Sequence, residues 1–218
     1  IFITMSYSRR HMEFECLSQD RAFIHTLFYE VITDLEHFMK NLKTFSGRAE
    51  VSKKIFDAHD VILGNRPRCF HQLSPLAVSK DLQGNTKDEL LAELVDLTIT
   101  SGQVNQNLRQ EIIKVLKERE ASVSTGMQNG IAVPHAKTDA VKKMILAIGL
   151  KKSGINFMSL DNEPSRIFVL ILIPQSNPQE YLQHLSEIIR FLSQEKTRET
   201  LLAARTNSDL ISILKGNS

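Results

Sequence analysis

Between Ser18, a plausible helix N-cap, and Gly47, apolar residues fall at Ile24, Phe28, Val31, Leu35, Phe38 and Leu42. The alternating steps of four and three keep one stripe on one side of a helix. A second amphipathic stretch places Val51, Ile55, Ala58 and Ile62 together until Gly64-Asn65-Arg66-Pro67 breaks it. The first segment, up to about His71, therefore reads as helical, a hairpin whose stripe must be covered by its second helix, by the following domain or by a second copy of the chain. From Leu73 onward the pattern alternates between helical and β-branched runs, the signature of a mixed α/β domain. Thr86-Lys87-Asp88-Glu89 is a capping box opening a helix through Leu90, Leu91, Leu94 and Val95, and a second helix carries Leu108, Ile112, Val115 and Leu116. Strands are predicted over Ile131–Val133, Met144–Leu150 and Ile167–Ile173, with Gly154 to Asn162 as a hairpin piece on the sheet edge. After Pro174 helical spacing returns at Leu182, Leu185, Ile188, Ile189 and Leu192, then at Leu201-Leu202, then in a Ser208-capped turn. The predicted fold is α/β: a short mixed sheet with helices on both faces over 73–218, preceded by a helical hairpin over 1–72.

Composition narrows the class. The chain has 218 residues, of which 42% are hydrophobic and 24% charged, enough for one large domain or two small ones. The longest unbroken apolar run, Ile167 to Ile173, is far short of the ~20 residues that a membrane-spanning helix needs. Ile1-Phe2-Ile3 is too short, and lacks a cationic lead, to be a secretory signal, so the start reads as the cut edge of a longer parent. The 27 basic and 25 acidic residues are mixed along the chain, which argues against a nucleic-acid binder. Cys16 and Cys69 lack Cys-x-x-Cys spacing and read as buried or half-buried thiols, in neither a disulfide framework nor a zinc cage. Nothing in the sequence calls for a metal or a cofactor.

The chain carries no phosphate-binding Gly-x-x-x-x-Gly-Lys-Ser/Thr loop, no Gly-x-Gly-x-x-Gly, no His-Glu-x-x-His and no Gly-x-Ser-x-Gly. Histidine is the remaining candidate. His11, His25, His37, His59 and His71 form no convincing ligand set in the front segment. His135 differs, because it follows a buried strand through Pro134 into a turn of small and polar residues. Pro134 fixes its own φ and biases Val133 to an extended conformation, a placement expected to expose the ring on a stiff backbone. A largely neutral imidazole there carries a free lone pair for attack on phosphorus or carbonyl carbon. Taken alone, the position reads as that of an ordinary turn histidine.

Gly126 to Lys137, Lys142 to Ile148, Gly154 to Pro164 and Leu182-Gln183-His184-Leu185 together resemble the fructose/mannitol-type enzyme IIA domain of the bacterial phosphoenolpyruvate-dependent sugar phosphotransferase system. The resemblance covers roughly Leu73 to Lys215, and its Pro-His-Ala-Lys-Thr turn is specific to the family. It is closest to the fructose branch, with the nitrogen-regulatory members as near relatives. It implies that His135 is the phosphorylated residue, that His184 is the second histidine beside it, and that Arg119 is the active-site arginine. By themselves Arg119 reads as part of a solvated helix tail and His184 as ordinary helix packing. Lys137, Thr138, Asn129 and Gln128 flank the turn as supporting candidates.

The resemblance further implies a cytoplasmic phosphoryl carrier, free or tethered to a membrane permease. His135 would accept phosphate from the small histidine phosphocarrier protein HPr and pass it to a cysteine of an enzyme IIB. Arg119 would offer a donor fork to the phosphoryl oxygens and His184 a further hydrogen bond. No metal takes part. The alternative is a regulatory module whose phosphorylation state sets binding to a partner, and the front segment is an expected site of homodimer formation or linkage.

Overall fold

A computed structural model describes residues 4–8, 11–15, 66–175 and 178–216, and for the first two stretches and for 178–180 it is the backbone that is described. The chain divides into two compact units, residues 1–56 and 57–218. In the first, β1 (Thr4–Ser8) pairs antiparallel with β2 (His11–Glu15), Met5 opposite Phe14 and Tyr7 opposite Met12. The front segment is thus not helical from its start. Apolar residues at every second position in both stretches carry the strand period that the helical reading passed over. The helices predicted over 24–42 and 51–62 lie outside the described residues.

The described part of the second unit opens on a short 3-10 turn, Arg68–Gln72, and continues through β3 (Val78–Ser79), α1 (Lys87–Thr100) and α2 (Arg109–Ser122). Four strands follow: β4 (Ile131–Ala132), β5 (His135–Lys137), β6 (Ile145–Ile155) and β7 (Ser165–Ile173). Three helices close it: α3 (Pro178–Ser193), α4 (Glu195–Leu202) and α5 (Asn207–Lys215). The capping box opens α1 as predicted, Thr86 accepting from the Glu89 N–H while the Glu89 carboxylate returns to the Thr86 N–H. The last helix is capped by Thr206 rather than Ser208, because Asp209 at the third position completes a second capping box.

The sheet is mixed. β6 lies between β3, parallel to it, and β7, antiparallel to it; the far side of β7 takes β4 and then β5, both parallel. Residues 145–150 of β6 and 167–173 of β7 are buried without alternation, as strands covered on both faces must be. α1 packs on β6, α2 on β5, α4 on β7 and α5 on β3. Two details depart from the sequence reading. Gly154 and Ile155 finish β6 rather than start an edge hairpin, Ile155 standing opposite Ser165 after an irregularity in register. The strand expected over 131–133 stops at Ala132, and Pro134 separates it from the new strand β5.

Candidate active site

β7 is the rail on which the site is built. Its register sets Ile131 beside Ile167 and, past the proline, His135 beside Ile171. Pro134 has no N–H to give, but its carbonyl accepts from the Ile171 N–H at 3.0 Å, so the chain returns to the same neighbour strand after the break. The Val133 N–H donates in the other direction, to the Thr125 carbonyl at 3.1 Å. What remains at Val133 is its carbonyl oxygen, 2.8 Å from Nδ1 of His135.

That contact orients the ring. A carbonyl only accepts, so Nδ1 carries a proton and donates it. Contrary to the expected exposed turn, His135 opens a strand and is 3% exposed. The difference arises because the residues after the proline rejoin β7 instead of leaving the sheet. The ring faces Tyr181 of α3, centroids 5.4 Å apart.

Arg119 lies in the last turn of α2, the helix packed on β5, and donates from Nη1 to the Val123 carbonyl at 2.9 Å. Its neighbour Glu120 is 7% exposed and gathers four donors. Oε1 accepts from Lys87 Nζ, Ser124 Oγ and the Thr125 N–H, each at 2.9 Å, and Oε2 accepts from Thr125 Oγ1 at 2.5 Å. Arg119 and Glu120 thus tie down the 123–125 segment, whose Thr125 carbonyl holds Val133.

His184 is on α3, one turn beyond Tyr181, with its side chain 12% exposed and Nδ1 3.8 Å from Oε2 of Glu187. Glu187, 7% exposed, also accepts from the Arg68 N–H at 3.0 Å, joining α3 to the 3-10 turn. The three predicted residues therefore sit on β5, α3 and α2, with Tyr181 in contact with His135 and α2 packed along β5.

Of the flanking candidates, Thr138 is a buried structural residue, its hydroxyl accepting from the Ala140 N–H and its own N–H bonded to Ile173. Asn129, at φ 64°, and Gly130, at φ 74°, make the left-handed turn into β4. Gln128 and Lys137 are half-buried. Cys69 is a buried free thiol, as read from sequence, and Cys16 lies outside the described residues. Sequence reasoning missed Tyr181, Glu187 and Glu120. The first two stand three residues before and after His184, on the same helix face, and that spacing was the available signal.

Residues 72–217 match the family model described as the phosphoenolpyruvate-dependent sugar phosphotransferase system, EIIA 2. The chain belongs to that family. A fructose-specific EIIA component from Haloferax volcanii is 36% identical over 129 residues, 59% of this chain and 82% of that protein. A nitrogen regulatory protein from Pseudomonas aeruginosa is 28% identical over 142 residues, 65% of this chain and 91% of the relative. A fructose-specific EIIABC component of Bacillus subtilis, 30% identical over 142 residues or 65% of this chain, is matched over 22% of its own length. Among solved structures, the complex of Escherichia coli mannitol enzyme IIA with phosphorylated enzyme IIB shares the fold at TM-score 0.53 and 19% identity, over 64% of this chain and 94% of that one.

His135 and its neighbours thus lie inside a phosphotransferase EIIA domain. Among the described residues no helix is long and apolar enough to cross a membrane, and no group of three His, Cys, Asp or Glu is arranged to hold a metal ion.

Proposed function

We propose that this chain is a phosphoryl carrier that accepts phosphate on Nε2 of His135 from HPr and passes it to the cysteine of an enzyme IIB. The observation that carries the reading is the Nδ1–H···O=C bond from His135 to Val133, which turns Nε2 into the nucleophile. In the accepting step the Nε2–P bond forms as the donor's N–P bond breaks, and the electron pair of that bond leaves on the donor nitrogen. Onward transfer repeats the exchange, with a thiolate sulfur attacking phosphorus and the pair returning to Nε2. Neither step needs a proton moved at phosphorus, so the site's work is alignment and charge stabilisation.

Arg119 is the permanent cation for the equatorial oxygens and His184 a further hydrogen-bond donor to them. The domain of residues 73–218 suffices for this chemistry, and the front segment serves to dimerise or tether it. The fructose-specific relative supports a role in sugar uptake, and the mannitol IIA–IIB complex supports enzyme IIB as acceptor.

The nitrogen regulatory relative favours a second reading, in which the same phosphohistidine switches binding to a partner protein in the cytoplasm. Reconstitution with phosphoenolpyruvate, enzyme I, HPr, a fructose-type enzyme IIB and permease membranes separates the two. Sugar phosphate appearing only when this chain is added supports the carrier. A chain that becomes phosphorylated yet yields no sugar phosphate with any cognate IIB overturns the carrier in favour of the regulator.

A further inference from the structure

Tyr181 is 2% exposed and His135 3% exposed, and their rings meet at 5.4 Å with the planes inclined by 40°. The tyrosine belongs to α3, so the helix that bears His184 also lays a ring against the proposed nucleophile. In-line transfer needs the donor nitrogen, phosphorus and Nε2 on one axis with the reacting atoms about 3–3.5 Å apart. His135 as a whole residue is 3% exposed, so little of it is open to an imidazole on a donor protein. Tyr181 is the aromatic neighbour whose movement would widen that opening.

We propose that Tyr181 is the cover of the site: its ring moves aside as a phosphoryl donor docks and returns against the phosphohistidine to keep water from it. The inference rests on His135 being the phosphorylated residue. The loss it prevents is hydrolysis, in which a water oxygen bonds phosphorus, the Nε2–P bond breaks with its electron pair returning to Nε2, and inorganic phosphate and a proton are released. A tyrosine suits the place, since its flat apolar body excludes water while its polar end tolerates the wet rim that forms when the site opens. Alanine would leave the imidazole open, whereas phenylalanine would keep the cover.

The test uses the full chain as wild type, Tyr181→Phe and Tyr181→Ala, with Tyr181→Leu replacing the flat ring should the alanine variant fail to fold. Carbethoxylation of His135 by diethyl pyrocarbonate, followed by peptide mass spectrometry, reads access to the ring without any phosphoryl chemistry. Hydrolysis of the phosphorylated form after removal of enzyme I and HPr reads the second half. Loss of the ring should make both about tenfold faster, while Tyr181→Phe stays within about twofold of wild type. Wild-type rates in Tyr181→Ala or Tyr181→Leu would overturn the proposal. So would a Tyr181→Phe that behaves like the alanine variant, because the hydroxyl rather than the ring would then be acting. If the reagent finds His135 more open in the alanine variant but the wild type takes no phosphate from HPr, the carrier reading fails, and the phosphohistidine half of the proposal with it.

Discussion

Arg119 donates from Nη1 to the carbonyl oxygen of Val123, 2.9 Å away, across the end of the helix that bears it. The guanidinium carries five donors in a planar fork, a geometry that suits phosphoryl oxygens. Arg119→Lys keeps the charge and loses the fork. Phosphorylation of His135 by HPr should slow about 100-fold, the usual effect of removing one donor to a transition-state oxyanion. Rapid-quench labelling measures it, and an unchanged rate would remove Arg119 from the site.

Glu120 stabilises the fold beside that arginine. Glu120→Ala takes the carboxylate from the Lys87 ammonium, whose side chain is 20% exposed, and removes the acceptor of the Thr125 N–H and hydroxyl. Breaking such a buried pair by removing one partner costs about 3 kcal/mol. Urea denaturation should show it. Lys87→Ala in the same background should add little, because the two changes remove one interaction and are not additive.

Gly126 follows the segment those residues hold. A Cβ there would lie 2.9 Å from the Ser159 Cα and 3.0 Å from the Phe157 carbonyl oxygen, both backbone atoms that cannot swing away. Gly126→Ala should cost about 1–3 kcal/mol as an overpacked site and, by shifting the Thr125 carbonyl that holds Val133, slow phosphorylation as well. Chemical denaturation and labelling rates check the two effects.

Cys69 sets a pH dependence. Burial first, then the Glu187 carboxylate, pushes its thiol from 9.0 up to about 12. The folded state keeps the proton that the unfolded state releases, so this contribution to stability is complete below pH 9 and is lost as pH rises from 9 to 12. The stability of wild type relative to Cys69→Ala, followed by urea denaturation, should fall across that interval. A constant difference would contradict the assignment.

Helix spacing, the Thr86–Glu89 capping box and the apolar runs of β6 and β7 were legible in the sequence because each depends on neighbours close in the chain. The partition around Pro134 was not. Whether His135 leaves the sheet or rejoins β7 depends on Ile171, 36 positions away, whose N–H bonds the Pro134 carbonyl. The strands β1 and β2 were missed because five residues of alternation are easily outweighed by the longer helical spacing that follows. His135, His184 and Arg119 were singled out through family resemblance alone, since composition and spacing leave each an ordinary residue. Glu120 stayed hidden because a carboxylate in a charged helix tail reads as solvated until Lys87 and Thr125 close around it.

The most direct measurement is the position of the phosphoryl group after incubation with phosphoenolpyruvate, enzyme I and HPr, read by 15N and 31P NMR on wild type and His135→Ala. The account predicts one acid-labile phosphate, on Nε2 of His135, and none on the variant. A wild type that stays unlabelled, or a phosphate found on Nδ1 or on another residue, would contradict it.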